Sequence, residues 1–359
     1  MIVVYPDANG LFNNPDLAND AGQRLRREVE SDGVELRYSP VVYRELERQE
    51  RDKVEAFARS VRDGADRLAE KSPIDSKPLT DASGDFADAL REEIEKRFNA
   101  LLGRAHVYLE PWPTVSTQDL AEREFARRRP FMDIDGTGTI GQRDALIWEG
   151  LMELAGVTEE GDTIVFVSGD KGFWDPKKKG LHPDLSDDLD RESIPRARVV
   201  IVPDIHQATI TIRRLKDEIT ARQAAFARGL VSYATSLERQ SIGWTYDARE
   251  GDLVPGQFEN VEVPSAMEDA TIIAVDLIGD PTIEMQSDGT AKGTQALTLT
   301  IEGNVSRDSW LLHDSRDIEV WDSINEYYVS GVVTRDVTLE ATLASYEEEV
   351  DVVSADLFM

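Results

Sequence analysis

Apolar residues in the first two hundred positions fall into two spacings. Compact runs rich in β-branched and aromatic residues predict strands: IVVY at 2–5, VELRY at 34–38, HVYLEPW at 106–112, DTIVFVS at 162–168 and ARVVIV at 197–202. Wider apolar spacing predicts helices over 16–31, 40–71, 85–102, 118–129 and 143–155. Ser39-Pro40 opens the second of these, because Ser caps a helix and Pro suits its first turn. Residues 72–84, with two prolines, and the glycine-rich 133–142 read as loops. Strands alternating with helices predict an α/β, Rossmann-like, mostly parallel sheet with helices on both faces.

The pattern changes after residue 205. Residues 206–240 read as one long helical connector. Beyond it QFENVEV, ATIIAVDLI, TIEMQ, QALTLTI, IEVW, YYVSGVV and VTLEATLA are short Val-, Ile- and Thr-rich runs separated by Gly, Asp and Ser. They predict a β-rich sandwich or barrel, with the tail YEEEVDVVSADLFM as one further strand or a free end. The expected organisation is therefore an α/β domain over 1–205, a connector over 206–240 and a β-rich domain over 241–359.

Charge sharpens this division. The chain carries −30 overall, and residues 240–359 hold 25 acidic against 5 basic side chains, whereas residues 1–239 hold 45 against 35. The acidity belongs mainly to the last third, which argues against direct nucleic-acid binding by that third and suits it to a protein partner, self-association or restraint of the first domain. There are no cysteines, so disulfides and thiolate metal sites are excluded. The start has no basic leader, and no apolar run is long enough to span a membrane, so a cytoplasmic protein is expected.

In an open parallel sheet, ligands sit beyond the carboxyl ends of the strands. Asp7, Asp170 and Asp204 follow predicted strands, Asp144 opens a helix, and Glu45 lies in the first turns of another. Acids arriving from distant positions suit Mg2+ or Mn2+, which prefer a few carboxylates plus water and phosphate. Each acid alone is as readily a turn former, a helix cap or a solvated side chain.

The flanking residues add to this. VVYPDANGLF at 3–12, YSPVVYREL at 38–46, PF at 130–131 leading to GQRDALIWEGL at 141–151, and TIVFVSGDKGFWD at 163–175 occur in the order and spacing of the PIN-domain nucleases, which residues 1–205 resemble. The resemblance implies a metal-dependent endoribonuclease that hydrolyses phosphodiesters with a metal-activated water, in a toxin or defence setting. It implies Asp7, Glu45, Asp144 and Asp170 as catalytic metal ligands, Ser168 as a residue orienting Asp170 or a metal-bound water, and Asp175 as an outer acid. RNA is the implied substrate. The helical insertion between the second and third strands is longer than the family pattern, and GDKGFWD lacks a second acid or Asn near its Lys.

Basic residues border these acids. Arg127 to Arg129 with Arg143 form one cluster, and Lys171 with Lys177 to Lys179 another; Arg129, Arg143 and Lys171 are the candidate phosphate contacts. Trp174 offers a surface for stacking a base, whereas Trp148 reads as core. His182 and His206 read as surface or capping residues. The loop FMDIDGTGTIGQRD also imitates two other sites. Asp133-Ile-Asp135-Gly-Thr137 matches a phosphatase nucleophile signature but follows a basic helix end instead of a core strand. Asp133, Asp135, Thr137, Gly138 and Asp144 fit a calcium loop, although the last position is Asp and Pro130 interrupts the first helix. Two alternatives to catalysis follow: a PIN-like scaffold that binds RNA or protein, and a calcium-responsive module on 133–144.

Overall fold

A computed structural model describes the chain apart from residues 12–13, 72–74, 135–137, 160, 178, 241–244, 248–251, 255–260, 262–266, 287, 309–317, 347–348 and 359. It divides into two compact units, Met1–Lys216 and Asp217–Met359.

In chain order the first unit holds β1 (Ile2–Pro6), α1 (Asp20–Val29), β2 (Val34–Tyr38), α2 (Pro40–Lys71), α3 (Lys77–Leu102), β3 (Val107–Leu109), α4 (Thr117–Phe125), β4 (Met132–Ile134), β5 (Gly138–Ile140), α5 (Gln142–Val157), β6 (Thr163–Val167), α6 (Pro183–Arg191), β7 (Val199–Val202) and the start of α7 (Ile205–Ser236). Five strands form one parallel sheet in the order β3-β2-β1-β6-β7. β1 lies at its centre, and Ile2 to Tyr5 are at most 1% exposed, which explains a run with no polar alternation. The order also reverses at β1. The chain steps outward from β1 to β3, then returns to the other side of β1 with β6. Connections leaving the two strands in opposite directions open a crevice at their carboxyl ends.

Several predicted boundaries shift. α3 begins at Lys77, inside the expected loop, because Pro78 falls in the first turn, where its missing N–H breaks no helical bond. α4 stops at Phe125 and excludes the three arginines; Arg127 turns the chain with a φ of 51°. The described part of the expected loop 133–142 is mainly the antiparallel hairpin β4–β5, pairing Met132 with Ile140 and Asp133 with Thr139. Gly141 follows it with a φ of 123°, and a Cβ there would stand 2.7 Å from the Pro130 carbonyl oxygen, so only glycine fits.

In the second unit β8 (Thr245–Asp247) and β9 (Asp252–Val254) form a small hairpin, and β10 (Met267–Met285), β11 (Ala291–Ser306), β12 (Glu319–Ser323), β13 (Tyr328–Tyr346) and β14 (Glu349–Phe358) form one antiparallel sheet. β13 pairs with β11 along one edge and with β12 and then β14 along the other. Among the described residues the expected sandwich or barrel is one long-stranded antiparallel sheet beside that hairpin. Its apolar face, including Leu297, Leu299, Ile301 and Leu343, clusters with Phe226, Leu230 and Ala234 from the second half of α7. ATIIAVDLI and TIEMQ join into one strand, with Pro281 at a register shift on the edge strand β10, where no ladder bond is lost. QFENVEV lies outside the described residues except at Val261. The other face is mainly polar, as in the row Asp276, Thr298 and Asp336, with Ile278 exposed beside them, and it carries much of the acidity.

Candidate active site

Strand register sets the first contact. Pro6 pairs with Val167 across β1 and β6, so the next residues, Asp7 and Ser168, leave the sheet together at the crevice. The Ser168 hydroxyl donates to Asp7 Oδ2 at 2.8 Å and accepts the Asp170 amide at 3.1 Å. Ser168 therefore holds the Asp7 carboxylate and binds the Asp170 amide, where orientation of Asp170 or of a metal-bound water was expected. That side chain is held by the Gly172 amide at 2.7 Å and the Asn9 side-chain amide at 3.3 Å. Asn9 belongs to the same sequence block as Asp7, and its role was missed because it acts through the second carboxylate.

Glu45 enters from α2 and Asp144 from the first turn of α5. Asp7, Glu45, Asp144 and Asp170 line one pocket of about 470 Å3, together with Arg143. Arg143 Nη1 donates to Glu45 Oε1 at 2.8 Å. Among the described residues, Asp7, Asp144 and Asp170 form no ion pair. Their protonation reflects this. Burial pushes the Asp7 carboxyl up to about 6, against the hydrogen bond from Ser168, and the charges of Asp170 and Glu45 raise it further. Asp144 is pushed up to about 7 by burial, then by Asp7, Asp170 and Glu45, while Arg143 lowers it. Two buried acids, each raised further by the carboxylates around it, mark a site with a deficit of positive charge.

The donor set fits a hard divalent cation. Among the described residues no three His, Asp or Glu side chains stand close enough to form a ready-made metal shell. Magnesium commonly keeps several waters and takes only one or two carboxylates directly, so a wider acidic pocket is compatible with it.

Other expected residues lie elsewhere. Asp175 does not line the pocket; its carboxylate accepts the Lys179 amide at 2.5 Å and closes a local turn. Arg127 pairs with Asp133 at 2.9 Å and Arg128 with Asp188 at 2.6 Å, so the arginine cluster answers the protein's own acids. Arg129 contributes its amide to Asp184, its buried Nη1 has no partner among the described residues, and it is not among the residues lining the pocket. Lys171 is exposed beside Asn9 and Asp170 on the adjoining surface. The Trp174 indole is tied to the Ser168 carbonyl at 2.7 Å and packs on the core, and Trp148 is fully buried. His182 caps α6. Asp133 lies in a two-stranded hairpin and not after a core strand, which removes the phosphatase reading. Asp135 and Thr137, on which the calcium reading also depends, lie outside the described residues. Glu124 and Thr139 also line the pocket and were missed, since nothing in the linear pattern brings α4 to β5.

Residues 4–173 match a family model described as PIN domain. No curated protein and no solved structure matches the chain. PIN domains are commonly nucleases that bind nucleic acid and generally use a divalent metal. Among the described residues no helix is long and apolar enough to cross a membrane. By its parallel sheet, its acidic crevice and this match, the N-terminal unit of the chain is a PIN domain.

Proposed function

We propose that the chain is a Mg2+- or Mn2+-dependent endoribonuclease acting in a toxin or defence setting, with its centre at Asp7, Glu45, Asp144 and Asp170. The observation that carries this reading is the convergence of these four acids on one pocket, three of them without a cationic partner among the described residues. Asp7, Asp144 and Asp170 would hold the ion, one or two of them directly and the rest through its waters, and Glu45 would hold it directly or through water. The bound ion supplies Lewis acidity toward water and offsets the phosphate charge. The protein's own groups do the rest. Ser168 fixes Asp7, Asn9 and the Gly172 amide fix Asp170, and Arg143 and Lys171 supply positive charge for the phosphates.

Purified protein should cut generic single-stranded RNA with Mn2+ or Mg2+ and not with a chelator present. Asp7→Asn, Asp144→Asn and Asp170→Asn should each lower the rate more than about 100-fold, beyond the usual cost of an outer-shell change. RNA binding without cutting under all these conditions would replace the enzyme with a PIN-fold scaffold. Retained activity in these variants would move the site elsewhere.

A further inference from the structure

The four acids occupy only part of the pocket. Its lining continues through Glu124 from α4, Phe131 before the hairpin, Thr139 and Ile140 from β5, and Gln142 at the start of α5. A volume of about 470 Å3 exceeds what an ion and one phosphate fill, and falls in the range that holds a nucleotide. Phe131 is 4% exposed and packs with Leu120 and Ala145, so it is a fixed apolar surface. Ile140 is 46% exposed, an apolar side chain left open at the same pocket.

Glu124 is the unexpected member. A fifth carboxylate disfavours phosphate, so its presence in the lining favours a ligand part that brings hydrogen-bond donors. It is also held in place. The Thr139 hydroxyl donates to its carboxylate, and the Arg127–Asp133 ion pair at 2.9 Å ties the end of α4 to β4.

We propose that Glu124, Thr139 and Gln142, over Phe131 and Ile140, form a nucleobase subsite that selects guanine next to the scissile phosphate. This rests on the reading of the acidic centre as an RNA-cleaving site. Guanine presents N1–H and N2–H side by side, which match the two oxygens of one carboxylate. Uracil presents one N–H between two carbonyl groups, and these oppose a carboxylate. Adenine and cytosine offer one amino group each and fall between. A matched two-bond contact discriminates bases by about 10-fold or more.

The test separates this subsite from the nuclease reading. The Asp170→Asn protein is titrated with pentauridine and with pentaribonucleotides carrying one guanosine, adenosine or cytidine in a uridine background. The guanosine oligomer should bind about 10-fold tighter than pentauridine. Glu124→Gln should erase that preference, and Thr139→Val should reduce it, with melting curves confirming that each variant is folded. Equal affinities, no binding to any oligomer, or a preference that survives Glu124→Gln would overturn the proposal. Sequencing the ends of RNA cut by the wild-type protein gives the second readout. Cuts without a guanine bias overturn the subsite and leave the nuclease intact. Guanine-selective binding with no cutting upholds the subsite and overturns the nuclease.

Discussion

Asp7 and Asp188 are both buried carboxylates of the first unit, 2% and 5% exposed, yet their surroundings are opposite. Asp188 on α6 accepts the Trp148 indole N–H at 3.0 Å and pairs with Arg123, Arg128 and Arg191. Asp7 has the Ser168 hydroxyl and no ion pair among the described residues. Where the chain supplies its own cations, the acid is an internal tie between α4, α5 and α6. Where it leaves them out, the acids share excess negative charge that an ion from solution can offset. Acid burial alone does not mark a metal site; the missing counter-charge does.

This contrast can be broken or sharpened by experiment. Asp188→Ala should be the most damaging, lowering stability by about 3–5 kcal/mol in denaturant melts, because it removes the buried carboxylate that Arg123 and Arg128 share and leaves the Trp148 indole N–H without its acceptor in the interior. Little change would mean that the arginines find other partners and that the contrast is overstated.

The pH response should run next in size. With its folded pKa raised to about 6 from an ordinary 3.8, Asp7 adds stability below the unfolded value and loses it as pH rises through about 6. In metal-free protein that difference amounts to at most about 3 kcal/mol. Asp7→Asn should therefore lessen the decline in stability between pH 4 and 7, the remainder belonging to Asp144, measured by melts against pH. A wild-type curve already flat there would show that Asp7 has a counter-charge after all.

Mn2+ at about 100 times its dissociation constant should stabilise the wild-type chain by about 2.7 kcal/mol. The gain should vanish in Asp170→Asn and persist in Thr139→Val. The smallest effect belongs to Arg143→Gln. Arg143 is 60% exposed, so losing its pair with Glu45 should cost below about 1 kcal/mol. Removing that cation should nevertheless tighten Mn2+ binding several-fold and weaken RNA binding, both read by calorimetry.

Much of the first unit was legible in linear form. The IVVY and TIVFV runs are continuous because a central parallel strand is buried on both faces, and that pattern survives without knowledge of neighbours. The acids that follow such runs mark strand ends for the same reason. The second unit was harder to read. Its seven short runs became three long strands and one short one, with QFENVEV almost wholly outside the described residues, since a turn residue such as Gly279 or Pro281 can be taken up as an irregularity within a strand. The helix over 206–240 was legible, but its place against one sheet face was not, because Phe226, Leu230 and Ala234 spell an amphipathic helix without naming what lies beneath it.

By itself, then, the sequence determined a parallel α/β unit, the switch from helical to β pattern and the acids with which the site could be built. These depend on periodicity and local backbone preference. Only the tertiary structure decided which acids keep company. Asp7 and Ser168 meet through the register of strands more than 150 residues apart, as their hydrogen bond spans 161 positions. Arg123 and Arg128 are turned toward Asp188, and Glu124 joins the pocket, through packing of α4 against the hairpin and α6. Charge pairing is set by distance in space, and side chains of one type in one chain segment carry no record of the partner they will find.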